Sequence, residues 1–209
     1  MAGDLADVEF VVRTIAQTAV DNEKYFGDLD AVVGDGDFGY SMARGFEVVL
    51  ADWDGIDRSD IATFLKKVAV TITGRIGGTS GPIWGTMFLR AASTVGDKSE
   101  VDADTLVAAL RAATEGVMAR GKAELGDKTL LDALVPATDA LEEALRSGGD
   151  GAQAFATTAR ERADATKTMQ ARRGRASYTG ERSIGSVDAG ATAVAVMAEQ
   201  IAAGWAGRH

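Results

Sequence analysis

The chain contains no cysteine, only two prolines, and a single histidine that is its last residue. Without cysteine there is neither a disulfide framework nor a thiolate zinc site, and a reducing compartment is expected. His209, at the chain end, is expected to fray and to take no part in chemistry. No apolar run approaches the roughly 18 residues of a membrane span. The opening M-A-G-D-L-A-D-V-E-F carries acids where a signal peptide needs a basic start. A basic surplus is missing too: the net charge of −9 argues against a nucleic-acid backbone as partner. A cytoplasmic protein with no membrane and no nucleic-acid partner is expected, and any anionic ligand must be met locally. With 209 residues and 46% hydrophobic content, one domain over 1–209 can bury a full core.

Apolar residues recur at three- and four-residue steps along most of the chain, which predicts amphipathic helices. Leu5, Val8, Val12, Ile15 and Ala19 place one over Asp4–Phe26. Others are predicted over Tyr40–Asp52, Ser59–Ile72, from Pro82, over Val101–Ala119, Thr129–Arg146 and Gly151–Gln170, and after Asp188. The only strand-like run is Ala31–Val33. Seven or eight helices separated by glycine-rich loops make the expected fold all-α.

Between the first two helices the stretch D-L-D-A-V-V-G-D-G-D-F-G-Y-S, residues 28–41, is expected to form one short loop carrying Asp28, Asp30, Asp35 and Asp37. Four carboxylates so close either splay into water or hold a cation, and an all-oxygen set favours Mg²⁺ or Ca²⁺ over zinc. Rival readings are weak. Gly34, Gly36 and Gly39 spell the dinucleotide fingerprint G-x-G-x-x-G, but Asp35 and Asp37 would repel a pyrophosphate and no further βαβ units follow. Asp37-Phe38-Gly39 spells the D-F-G of protein kinases without the other kinase motifs. An EF-hand fails because position twelve counted from Asp35 is Phe46. The stretch leads into a helix N-terminus, whose free N–H groups favour phosphate.

Gly77-Gly78-Thr79-Ser80-Gly81 before Pro82 is a second small-residue loop at a helix start, read alone as a helix–helix turn or a phosphate cradle. Residues 170–188, Q-A-R-R-G-R-A-S-Y-T-G-E-R-S-I-G-S-V-D, lack helical periodicity and gather Arg172, Arg173, Arg175 and Arg182. Loops of this length are functional or disordered, and this one reads as a lid whose guanidinium groups meet phosphates, or as a solvated basic cluster.

Four motifs in order resemble the L subunit of dihydroxyacetone kinases, the DhaL family, over nearly the whole chain. They are D-x-x-x-x-G-D-G-D-x-G at Asp30–Gly39, G-G-T-S-G-P at Gly77–Pro82, R-G-K-A-E-x-G-D-K-T at Arg120–Thr129, and G-R-A-S-Y-x-G-E-R-S-I-G with D-A-G at Gly174–Gly190. The resemblance implies an eight-helix up-and-down barrel with the nucleotide site in the loops at one end. Asp30, Asp35 and Asp37 would hold two Mg²⁺ ions bridging the phosphates of ADP or ATP. Phe38, Gly39 and Ser41, with Thr79 and Ser80, would surround the phosphates; Gly121, Leu130, Arg175, Asp188, Ala189 and Gly190 would line the rest.

The implied activity is a phosphotransferase that works only with a partner K subunit, on which a histidine holds dihydroxyacetone. Separate K and L chains lean toward a resident ADP, recharged by a phosphohistidine protein of the sugar phosphotransferase system. The rivals are an ATP-dependent two-chain kinase for another small hydroxyketone, and a non-catalytic nucleotide-binding regulatory module. Two positions depart from the family pattern: Phe38 stands where histidine is usual, and Ser41 where asparagine is common. A phenyl ring neither donates nor accepts a hydrogen bond, so any such role of that histidine is absent.

Overall fold

A computed structural model describes residues 3–208, so His209 lies outside the described residues. Among those residues there is no strand, only an isolated antiparallel bridge between Gly3 and Val101. The chain is all-α, as expected. In order come α1 (Leu5–Asp21), α2 (Glu23–Ala31), α3 (Phe38–Ala51), α4 (Ile61–Arg75), α5 (Ser80–Val95), α6 (Ala103–Gly121), α7 (Leu131–Arg146), α8 (Gly151–Ala165) and α9 (Ala189–Trp205). Among the described residues no helix is long and apolar enough to cross a membrane.

Aspartates start five of these helices. Asp4 accepts from the Asp7 N–H at 3.1 Å, before α1. Asp60 accepts from the Thr63 N–H at 2.7 Å, Asp102 from Thr105 at 2.8 Å, Asp150 from Gln153 at 3.0 Å and Asp188 from Ala191 at 2.7 Å. Each satisfies a donor that the helix itself leaves open and contributes about 1 kcal/mol. The helices gather into two compact units: the described residues up to Val20 with Ser41–Lys122, and Asp21–Tyr40 with the residues from Ala123 onward. In the first, α5 packs between α4 and α6. Trp53 meets Phe64 edge-on there, at 5.7 Å, and the Arg58 guanidinium lies over both rings. In the second, α8 packs against α7 and α9, and α2 against α9. The buried faces of α8 and α9 are largely alanine, which allows close helix approach.

Two expectations about local structure are corrected. The first amphipathic segment is not one helix: it breaks at Asn22, and α2 then runs on to Ala31 with Phe26 fully buried. Among the described residues nine α-helices therefore stand where seven or eight were expected. Asp28 and Asp30 lie on α2 rather than in a loop, and Ala31–Val33 is no strand. The N–H groups of Val33 and Gly34 instead bond back to the Asp30 carbonyl, at 3.1 and 2.6 Å. The second correction concerns residues 170–188, which are not irregular throughout. Arg175–Ser183 forms 3₁₀ turns, broken at Gly180, where φ is +58°.

The start of α3 lies directly against α2 through Gly39. A Cβ there would overlap the Glu23 carbonyl and come within 2.5 Å of the Gly27 nitrogen. Only a glycine permits this approach, and the approach sets Asp30 of α2 beside Asp35 and Asp37. Gly39→Ala should lower stability by about 1–3 kcal/mol, the usual cost of overpacking. A fall in the urea midpoint at unchanged slope would register it. Gly74→Ala, where no foreign atom lies within 4 Å, is the control that should show no loss.

Candidate functional site

In the second unit α2 supplies Asp30 and the following turn supplies Asp35 and Asp37. One carboxylate oxygen from each lies within 4.8 Å of the others. Among the described residues this is the one such grouping of three acidic or histidine ligands. Gly36, at φ +76°, reverses the backbone between the last two. Asp28 stays out of the group: it is exposed and pairs with Lys24 one turn away at 2.6 Å.

Burial and neighbouring charge shift two of the trio's carboxyls. Burial raises the Asp30 carboxyl above its ordinary value, opposed by the Phe38 N–H and reinforced by the charge of Asp35. Asp37 is also raised, by desolvation and then by Asp35. The charge is met by Arg175, whose guanidinium contacts Asp35 and stands 3.6 Å from Asp37. A positive group thus already occupies the approach to three hard oxygen donors. That donor set and that preference fit a divalent cation such as Mg²⁺.

Phe38 presents its backbone N–H to Asp30 at 3.4 Å, while its ring packs on Phe26 with centroids 6.2 Å apart. Its side chain is half-buried on the α2 side. Gly39 makes the contact with α2 described above. Leu130 and Gly190 adjoin one another, since a Cβ on Gly190 would lie 3.3 Å from the Leu130 Cβ. Ala189 and Gly190 form the first turn of α9, capped by Asp188. The Asp188 carboxyl is recessed although part of the residue remains accessible, and desolvation pushes its pKa up to about 6. The cap bond and Lys128 pull the other way, while Asp132 adds to the rise.

In the first unit Ser41, Thr79, Ser80 and Gly121 are found on separate elements. Ser80 opens α5 with Thr79 just before it, and Gly121 closes α6. Ser41, on α3, faces the glycine-rich loop: a Cβ on Gly77 would lie 3.3 Å from its hydroxyl.

The arginine-bearing stretch is more tightly built than its composition suggests. Arg173 pairs with the buried Asp127 at 3.2 Å, and the Arg172 N–H donates to the Asp127 carbonyl at 3.0 Å. The Ser183 hydroxyl accepts from the Ala171 N–H at 2.8 Å. Lys128, the second lysine of R-G-K-A-E-L-G-D-K-T, is buried beneath this stretch. Asp132 ties down the turn before α7, accepting from Gly126 at 2.5 Å and Thr129 at 2.7 Å. Reading the residues one by one missed Asp127, Lys128 and Asp132. The available signal was a D-K-T-x-x-D cluster of charge directly before an apolar helix.

Residues 32–203 match the family described as the DAK2 domain. The chain belongs to that family. It is 40% identical over 182 residues to the Escherichia coli "PEP-dependent dihydroxyacetone kinase, ADP-binding subunit DhaL", covering 86% of this chain and 87% of that protein. It is 38% identical over 190 residues to the Mycolicibacterium smegmatis "L-erythrulose 1-kinase", covering 90% of this chain but 33% of that protein. The C. freundii dihydroxyacetone kinase, crystallised with AMP-PNP and Mg²⁺, superposes with a TM-score of 0.76 at 25% identity. That match covers 98% of this chain and 35% of the crystallised one. The DAK2 domain here thus spans nearly the length of the E. coli subunit and about a third of the other two proteins.

Two measurements probe this site. Arg175→Ala removes the guanidinium from Asp35 and Asp37, so Mn²⁺ alone, without nucleotide, should bind several-fold more tightly. Equal Mn²⁺ affinities by electron paramagnetic resonance would show that the arginine does not guard the carboxylates. Asp188→Asn addresses pH. Below about 3.8 Asp188 is protonated whether folded or not; between there and about 6 only the unfolded chain loses the proton. Stability therefore falls as pH rises through that window and levels above it. Asparagine still caps a helix. The stability of the variant relative to the wild type should grow across the window and then stay constant, in paired denaturant titrations.

Proposed function

We propose that this DAK2 domain is the nucleotide-binding, phosphoryl-transferring L subunit of a dihydroxyacetone kinase, acting in the cytoplasm as a single domain. The clustering of Asp30, Asp35 and Asp37 carries the reading. Phosphoryl transfer asks a protein mainly for positioning and charge neutralisation, and a carboxylate trio beside helix starts is suited to both. Asp30, Asp35 and Asp37 would hold Mg²⁺, two ions on this reading, whose chemistry there would be neutralisation of phosphate charge.

The remaining roles fall to residues of the chain. The N-terminal turns of α3 and α9 offer backbone N–H groups, at Gly39 and at Ala189 and Gly190, to anionic oxygens. Thr79, Ser80 and Ser41 supply hydroxyls of the same use. Gly121 and Leu130 line the nucleotide, and Asp188 fixes the start of α9. Arg175, which meets Asp35 and Asp37, is the cation placed to offer its guanidinium to phosphates. The substrate site is placed on a separate K subunit, consistent with the naming of the E. coli relative as one subunit of its kinase. That relative is also called PEP-dependent and ADP-binding. The naming favours a resident ADP, recharged by a phosphohistidine protein of the phosphotransferase system, over a consumed ATP.

Native mass spectrometry of the purified protein should retain ADP. Asp35→Ala and Asp37→Ala should each abolish Mg²⁺-dependent ADP binding with little change in melting temperature; unchanged calorimetric affinity would sink the metal assignment. Rapid ATP turnover with a K subunit, without retained ADP, would favour the two-chain kinase acting on another hydroxyketone. Binding without turnover would leave a regulatory module.

A further inference from the structure

Lys128 is a charged side chain with only 2% of its surface exposed. It sits in the turn before α7 with φ at +62°, a conformation that non-glycine residues seldom adopt. Its ammonium donates to three main-chain carbonyls: Met169 at 3.2 Å, Ser186 at 2.7 Å, and Ser183. Three donors meet three acceptors, so the group is fully satisfied although removed from water. Burial lowers its pKa and nearby Asp188 raises it. An apolar residue would have been the inexpensive occupant of such a place, so the charge asks for an explanation.

The acceptors supply one. All three lie outside the α-helices and belong to one excursion of the chain. Met169 precedes the 3₁₀ turns of Arg175–Ser183, Ser183 ends them and Ser186 follows. Between these points the chain carries Arg175 to Asp35. Two further bonds close the same neck, Ala171 N–H to the Ser183 hydroxyl at 2.8 Å and Gly185 N–H to the Lys167 carbonyl at 2.8 Å. The outward part of the loop is solvated: Tyr178 is 90% exposed. Contacts at the neck therefore order the loop, and the Lys128 ammonium binds both sides of that neck at once.

We propose that Lys128 is a positioning residue: it joins the two ends of the arginine segment through main-chain carbonyls and thereby presents Arg175 to the acidic trio. The claim rests on the nucleotide reading only in that Arg175 is taken to serve phosphates. Removing the ammonium leaves three carbonyls that can be hydrated only if the neck opens. The loop would loosen without the helices unfolding.

Lys128→Met tests this, with trypsin as probe because Arg172, Arg173, Arg175 and Arg182 all lie in the segment. The variant should keep a cooperative thermal transition, be cut in the segment about tenfold faster, and bind Mg-ADP about tenfold more weakly. In Lys128→Ala, which leaves room for a small cation, ethylammonium chloride should restore protection better than sodium chloride at equal ionic strength. Cutting of Lys128→Met at the wild-type rate would overturn the proposal. So would loss of its cooperative transition, which would assign the lysine to the fold at large, or a Lys128→Ala protection that ethylammonium improves no more than sodium does. If the wild type itself fails to bind Mg-ADP, the nucleotide reading falls, while the tryptic and amine results still decide the role of Lys128.

Discussion

Repulsion among three carboxylates is the constraint around which the second unit is arranged. Asp30, Asp35 and Asp37 bring oxygens within 4.8 Å of one another, and burial first, with the charge of Asp35 added to it, raises the Asp30 and Asp37 pKa values. A chain left to itself would separate them. The separation is prevented by backbone: Gly39 lets α3 press on α2, and Gly36 turns the connection. It is relieved by Arg175, brought from far along the sequence. The site thus holds a stock of unfavourable electrostatics that a divalent cation would discharge, which suits a subunit whose proposed work is to hold metal and phosphate together.

Much of this was legible before any coordinates. Periodicity located most of the amphipathic helices, because their buried stripes do not depend on which neighbour covers them, but it merged α1 with the start of α2 and carried α8 past its end at Ala165. Asp188 was placed at the start of the last helix, and it caps that helix. The three aspartates were singled out by density of charge and by motif, and the geometry brings those three together and leaves Asp28 aside.

What escaped the sequence was set by contacts distant along the chain. Tyr25 to Ala31 contains a glycine and two aspartates, a loop composition by local propensity, yet it is helical because Phe26 is buried and Gly27 abuts Gly39. Residues 170–188 show no helical period because their order comes from Lys128, Asp127 and the Ser183 hydroxyl, none of which leaves a periodic trace. A buried lysine in particular resembles a surface lysine in any one-dimensional pattern. Its difference lies wholly in three carbonyls that the chain supplies some forty or more residues later.

The two compact units are not consecutive stretches: the chain passes between them after Val20, after Tyr40 and after Lys122. During synthesis the first unit has all its residues once Lys122 has been added, whereas the second must wait for α9. The acidic trio is therefore made early, and its arginine arrives only near the end. Through most of translation Arg175 is therefore not yet present to pair with these carboxylates. No single cleavage releases the trio together with Arg175 as a continuous fragment free of the first unit. A minimal version of that unit would have to be built by joining the segment that ends at Tyr40 to the one that begins at Ala123.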